Sequence, residues 1–561
     1  PVAATPSNGL YAVYLGTAEA ASIPLTRAMR SSVKRLDPDG FLLAADAGGV
    51  RIIGQNPIGV LYGVYDLLRT RAGLRWFAPG AGFEHCPQRP TVSVPDQVTL
   101  SNPAFPIRRW WPVCANVNSK TLDSWDWLVR NGMTLQAGKR LFAEHGAELE
   151  KRGAVLMDGG NNFYALLSDS LFEEHPEYFG LIGGRRVKQE YKRQPCTSHP
   201  RVAVLMAASL KAWHARPPAA LTYLVGNNDD TLWCRCPRCE ALDPPDEKAK
   251  RFVGTRYYTF VNAVAADVCR AHPEAELWSY AYQNFQYPPT GVTPDPRLFI
   301  QAAIHGRCYQ HSLADLGCRI NDRFRALLDQ WGRLPNTVST LEFIDATCLP
   351  NYLPLERVLA EDIRYYRRIG LAGCTFFAIP PDGTFGPRFE APRFRDSLPA
   401  QWQAQYLAAR LLWDPEADVE ALLEDMGETY YGPAWPAMRR YRAALTGAFE
   451  GTPGHMYYGQ SPVGKLLEKP GLEAALTGLL DEAAALTAGN PGAAARVALD
   501  RAWLRDYWQA PHRVYTARRP RELRAVRRQA GLLVDGRFDE PDWGRAEFTG
   551  HFIDLGGRTP A

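Results

Sequence analysis

Two apolar, β-rich runs in this chain stop at carboxylates. Leu221-Thr-Tyr-Leu-Val-Gly runs into Asn227-Asn228-Asp229-Asp230, and Val338-Ser-Thr-Leu runs into Glu342-Phe343. Each acid therefore stands at the C-terminal end of a strand. In an α/β barrel that is the face where catalytic side chains from several strands converge. Two carboxylates from different strands over one cleft are the usual equipment for glycoside hydrolysis. Asp229 is the first candidate, because Asp230 beside it is a like-charge neighbour of the kind that keeps one carboxyl of a pair available as a general acid. Asp230 itself fits an adjacent pair in which one acid orients a 2-acetamido group and the other protonates the leaving oxygen. In that scheme the acetamido carbonyl oxygen attacks the anomeric carbon. Glu342, on the seventh strand, suits the nucleophile of a two-carboxylate retaining mechanism, an acid, or a partner for a sugar hydroxyl.

Asn228, Tyr280, Tyr282 and His305 also fall at strand ends and are candidate sugar contacts; Trp110 or Trp111 is a candidate floor for the ring. Each has a plainer reading beside it. An Asp after a strand often caps the following turn, a strand-end Tyr packs, and a Trp at the start of a barrel joins its core.

The elements that must position these residues follow from apolar periodicity. Residues 1–102 read as a small α/β domain, with strands near Leu10–Leu15, Gly40–Ala44 and Gly49–Gly54 and a helix from Pro57. Residues 103–400 alternate apolar runs with helical stretches, the pattern of βα units. Strands are expected at Ile107–Trp111, near Met133, and at Ala154–Met157, Thr222–Val225, Glu276–Tyr280, Leu298–Ala302, Ser339–Glu342 and Cys374–Ala378. Eight such units close a (β/α)8, TIM-like barrel. The rival doubly wound sheet lacks support, since no Gly-rich phosphate loop follows any strand. Residues 401–530 read as helical, and 531–561 as the start of a further β unit. The chain starts at Pro1 without an initiating Met and stops shortly into that unit, so both ends read as cut.

Composition sets outer limits. With 46% hydrophobic and 22% charged residues, the chain has the make-up of an ordinary globular protein. A net charge of +4 spread over 561 residues gives no case for nucleic acid or a membrane surface. No run reaches the ~18 apolar residues of a transmembrane helix. Of 11 cysteines, three cluster as Cys234-Arg-Cys236-Pro-Arg-Cys239, which suits a structural zinc, local disulfides or reduced thiols. Zinc needs a fourth ligand, for which Cys308, His305 or His311 are candidates. No cofactor is implied, and no His/carboxylate set with catalytic-metal spacing is evident.

Several strings resemble known families. Gly59-Val-Leu-Tyr-Gly-Val-Tyr-Asp-Leu-Leu with Gly73-Leu-Arg-Trp-Phe-Ala-Pro-Gly is similar to the α/β domain ahead of the barrel in α-glucuronidases and β-hexosaminidases. His175-Pro-Glu-Tyr-Phe, Asn228-Asp229 with its CxCxxC tail, Ala281-Tyr282-Gln283 and Leu411-Leu-Trp-Asp-Pro-Glu-Ala-Asp resemble glycoside hydrolase family 163, formerly the domain-of-unknown-function 4838 group. Asp535-Gly-Arg-Phe-Asp-Glu looks like the opening of a family 9 carbohydrate-binding module. The resemblance implies an endo-β-N-acetylglucosaminidase acting on N-glycans, for which the adjacent acids suit a retaining, acetamido-assisted reaction. Another glycosidase, such as an α-glucuronidase-like enzyme, and a non-catalytic glycan-binding barrel are the alternatives. The expected partner is an oligosaccharide, and the expected site of action is secreted or periplasmic, since intact glycans do not cross membranes.

Overall fold

The computed structural model describes residues 11–19, 23–112, 117, 119–190, 192–218, 222–344, 352–378, 397–457 and 461–517. Residues 531–561, where a carbohydrate-binding unit was expected, lie outside them.

The N-terminal sheet has four strands in the order Val13–Thr17, Gly49–Gly54, Phe41–Asp46, Gln97–Ser101. Strand alternation sends Leu42, Ala44 and Ile53 to one face, under the helix Arg27–Val33. Phe41, Leu43, Val50 and Ile52 go to the other, under the helix Pro57–Leu67. Asn56 caps that second helix, its side chain accepting from the Gly59 amide.

Eight parallel strands then close a barrel, in chain order: Ile107–Pro112, Thr134–Ala137, Val155–Asn161, Thr222–Gly226, Glu276–Ala281, Phe299–Ala303, Val338–Glu342 and Gly373–Ala378. The eighth pairs back onto the first, Gly373 opposite Ile107. Such strands are covered on both faces, which is why they read as unbroken apolar runs rather than alternating ones.

The barrel interior fixes which side chains point inward. Gln301 on the sixth strand donates to Thr375 on the eighth at 3.2 Å, spanning the seventh strand between them. Register pairs Gln301 with Ser339 and Thr375 with Leu341. Ser339 and Leu341 thus share the interior, while Thr340 and Glu342 face the helices. Likewise Arg109 on the first strand lies 4.6 Å over the ring of Trp278 on the fifth and donates to Met157 Sδ at 3.1 Å. Its neighbour Trp110 must therefore face outward.

Helices follow the barrel, among them Trp402–Trp413, Val419–Tyr431, Trp435–Gly451, Leu472–Leu486 and Pro491–Trp503. Arg108 ties the three regions together: it pairs with Asp39 at 2.9 Å, donates to the Gly132 carbonyl and lies 5.1 Å over the Trp413 ring. Among the described residues no helix is long and apolar enough to cross a membrane.

Candidate active site

The fourth strand ends at Gly226 and delivers a turn that carries Asp229 into solvent, while Asn227 and Asn228 stay fully buried. Gln194 grips this turn, accepting from the Asn228 amide at 3.0 Å and donating to the carbonyls of Asn228 and Asp230 at 2.7 and 2.9 Å. The Asn228 side chain accepts from the Tyr164 amide and donates to Gln189 Oε1 and the Arg193 carbonyl. Every polar atom of that side chain is thus engaged within the protein. The expectation that Asn228 touches sugar is corrected: it is a buried brace. Asp230 is half-buried and its Oδ1 accepts from the Leu232 amide at 2.9 Å, closing the turn in the way the plainer reading of a post-strand Asp expects.

Asp229 has different company. Its Oδ1 accepts from the Tyr282 hydroxyl at 3.4 Å and from Gln283 Nε2 at 3.2 Å. Both donors follow the fifth strand. Gln283 adopts φ +49°, in the left-handed region that non-glycine residues rarely occupy. Asn227 Nδ2 holds it there through a 3.2 Å bond to Gln283 Oε1. A side chain held in a disfavoured backbone geometry beside an exposed carboxylate is the kind of strain that collects at functional sites.

Tyr280 lies below, nearly buried, with its ring across Gly226. A Cβ on that glycine would come within 2.7 Å of Tyr280 Cδ2 and 2.3 Å of the Gly160 carbonyl oxygen. Burial pushes the Tyr280 hydroxyl well above its ordinary range. His305, past the sixth strand, is half-buried. Desolvation lowers its pKa, while the charge of Asp229 pulls in the opposite direction, so His305 stands close enough to sense that carboxylate. Phe343 packs edge-on to His305 at 5.0 Å and meets Phe377 at 5.5 Å, carrying the rim round to the eighth strand. The structure therefore brings Asp229, Tyr280, Tyr282 and His305 to one mouth. It adds Gln283 and Phe343, which residue types alone did not single out. The signal for Gln283 was its place in Ala281-Tyr282-Gln283.

Glu342 does not join them. It is 1% exposed and faces the helix layer. Arg307 Nε donates to it at 3.1 Å, Tyr309 at 2.9 Å, and Tyr366, on the helix Glu356–Arg368, to its other oxygen. Arg307 also pairs with Asp362 at 2.6 Å. The expected nucleophile sharing a hollow with Asp229 is thus corrected to a sealed structural carboxylate. Strand alternation gives the reason: Phe343 takes the mouth and Glu342 the helix side. Trp110, 3% exposed, packs against Trp127 at 5.7 Å and Phe376 at 5.4 Å, so it is core rather than a sugar floor. The Trp111 side chain lies outside the described residues.

The CxCxxC cysteines do gain a fourth partner, but it is Cys196 rather than Cys308, His305 or His311. The four Sγ atoms lie within 4.8 Å of one another. Cys308 and His311 belong to a second cluster, with Cys318 and His455.

A parallel eight-stranded barrel with helices outside and an acid at its C-terminal mouth defines the general class of protein. The family model for a domain of unknown function, DUF4838, matches residues 78–443, and the chain belongs to that family. The glycosyl hydrolase family 67 N-terminus matches residues 2–67. No curated protein matches. Solved structures do: a family 89 glycoside hydrolase from Clostridium perfringens in complex with GlcNAc-α-1,4-galactose matches at 12% identity and TM-score 0.45, covering 82% of this chain and 56% of that one. A family 138 glycoside hydrolase targeting pectin rhamnogalacturonan II matches at 11% and 0.48, covering 78% and 55%. The β-N-acetylhexosaminidase of Bacteroides fragilis matches at 12% and 0.42, covering 70% and 81%. The chain spans little more than half the length of the first two.

Proposed function

We propose that this chain is a glycoside hydrolase that cleaves β-linked N-acetylglucosamine within glycans, with retention, by acetamido participation. The observation that carries the reading is the asymmetry of the two strand-end acids: Asp229 is exposed at the mouth with two side-chain donors on one oxygen, and Glu342 is sealed behind it. Direct displacement needs a second carboxylate about 5 Å away across the cleft. Glu342 cannot fill that role from the helix side. The substrate's own acetamido oxygen supplies the nucleophile instead.

In this scheme Asp229 gives its proton to the leaving oxygen as the C1–O bond breaks and the acetamido carbonyl oxygen bonds to C1. Water then opens the resulting oxazolinium at C1, surrendering a proton to Asp229, which is returned to its starting form. Tyr282 and Gln283 hold Asp229, and Asp230 positions it through the turn. The aromatic rim of Phe343 and Phe377 offers apolar faces to the C–H surface of a pyranose. Because such glycans do not cross membranes, the reading carries with it a place of action outside the cytoplasm.

The family 67 N-terminal match favours a second reading, an α-glucuronidase-like enzyme. A uronate needs a cation. Among the described residues Arg307 is already committed to Glu342 and Asp362, and burial keeps His305 towards its neutral form. The test is an aryl β-N-acetylglucosaminide and an N-glycan against an aryl α-glucuronide, with a thiazoline mimic as inhibitor. Hydrolysis of the first two, blocked by the thiazoline, is expected. Turnover of the uronide, or thiazoline-resistant cleavage, would overturn the mechanism, and binding without any hydrolysis would leave only a glycan-binding barrel.

A further inference from the structure

Among the described residues, two clusters that include cysteine ligands lie outside the proposed chemistry. In the first, Cys196, Cys234, Cys236 and Cys239 are each no more than 4% exposed and all are free thiols. The Sγ of Cys196 stands 3.7 Å from that of Cys236 and 3.8 Å from that of Cys239. A disulfide would bring two sulfurs to ~2.05 Å. A tetrahedral ion with metal–sulfur bonds of ~2.3 Å sets its sulfurs ~3.8 Å apart. The surroundings suit thiolates: the Leu181 amide points at Cys234 Sγ from 3.3 Å and the Arg186 guanidinium from 3.7 Å.

The second cluster is Cys308, His311, Cys318 and His455, whose ligand atoms also lie within 4.8 Å of one another. Cys308 Sγ is 3.4 Å from His311 Nδ1, and Cys318 Sγ is 3.7 Å from His455 Nδ1. The sulfur–nitrogen edge of a tetrahedral zinc site, from bonds of ~2.3 and ~2.05 Å, is ~3.6 Å. The frame is built around the ligands rather than by them. Asn321 accepts from the Cys308 amide at 2.8 Å and donates to the carbonyls of Cys308, His311 and Ser312.

We propose that the chain carries two structural zinc ions, one in each tetrad, pinning the two loops that shape the barrel mouth. Tetrahedral S4 and S2N2 donor sets select zinc over the oxygen-loving cations. The first ion joins the segment of Gln194, which grips the Asp229 turn, to the segment that follows this turn. The second joins the loop carrying His305 and Arg307 to the segment after the helix Trp435–Gly451, where the Tyr309 amide already donates to the Met456 carbonyl at 2.7 Å. Neither ion touches the sugar site.

The test is zinc content by mass spectrometry of the elements on the purified chain, for the wild type, Cys236→Ser, Cys318→Ser and the double variant. Two, one, one and zero equivalents are expected. Zero in the wild type overturns both sites. One equivalent overturns the site whose variant leaves it in place. If a variant does not fold, cobalt exchange into the wild type serves instead. Tetrahedral visible bands with thiolate-to-cobalt charge transfer, at two equivalents, support the proposal. Octahedral spectra, or cysteines found paired as disulfides on alkylation without reductant, defeat it.

Discussion

The ends of the fourth and seventh barrel strands make an instructive pair. Each closes an apolar run with an acid, yet Asp229 is exposed and held by Tyr282 and Gln283, while Glu342 is 1% exposed and held by Arg307, Tyr309 and Tyr366. Asp229 leaves the strand through a turn, so the pleat no longer dictates its direction. Glu342 is still inside the ladder, paired with Phe376, and must take the side its position assigns. A carboxylate one residue later on the seventh strand, where Phe343 stands, would have faced the mouth. On the proposed reading the same kind of side chain at the same end of the barrel serves chemistry in one place and architecture in the other, and on the seventh strand one step of register decides which way it faces.

The strongest way to break this contrast is Asp229→Asn. It should lower kcat by about 10²- to 10⁴-fold, the usual weight of a general acid, with an unchanged circular dichroism spectrum. Retained turnover would move the chemistry to another group. Glu342→Ala should do the reverse in kind. Leaving Arg307 without that partner should lower unfolding free energy by about 3–5 kcal/mol in denaturant titrations. Any loss of activity should be no greater than the loss of folded protein explains.

A third experiment sharpens the architectural side. Burial, opposed by the pull of Arg307, raises the Asp362 carboxyl to about 6. An unfolded Asp titrates near ~3.9, so between these values the folded chain holds a proton that the unfolded chain has lost. This group's contribution to stability therefore grows as pH falls from about 6 towards 4. It should amount to on the order of 3 kcal/mol, measured as the gain of wild type over Asp362→Asn across that range. The smallest effect belongs to Tyr282→Phe. Losing one hydrogen bond worth about 0.5–1.5 kcal/mol should cut kcat/KM by about twofold to thirteenfold and leave the melting temperature in place.

The fold was legible because parallel barrel strands, buried on both faces, print as apolar runs. All eight fell within a few residues of their expected positions, and Val338–Glu342 ended on the acid itself. Side-chain direction was not legible. Glu342 and Phe343 differ by one residue, and it takes long-range contacts, the Gln301–Thr375 bond across the barrel and the Tyr366 bond to Glu342, to reveal which of them looks inward. Nor did the sequence distinguish Asn228 from Asp229, since the partners that bury Asn228 come from Tyr164, Gln189 and Arg193, far along the chain. Cys196 was missed for the same reason: it lies 40 residues before Cys236, and topology alone joins them. Local spacing found the CxCxxC knuckle; it could not find what closes it.

The close packing at the end of the fourth strand depends on an atom that is missing. With only hydrogen on its α-carbon, Gly226 lets the phenol of Tyr280 lie flat along the wall. A methyl group there would come within 2.7 Å of the ring and 2.3 Å of the Gly160 carbonyl oxygen, so the packing at this point would have to shift. The groups that hold Asp229 lie elsewhere, on Tyr282 and Gln283 after the fifth strand. Close fit at the strand end and the hold on the acid thus rest on different residues.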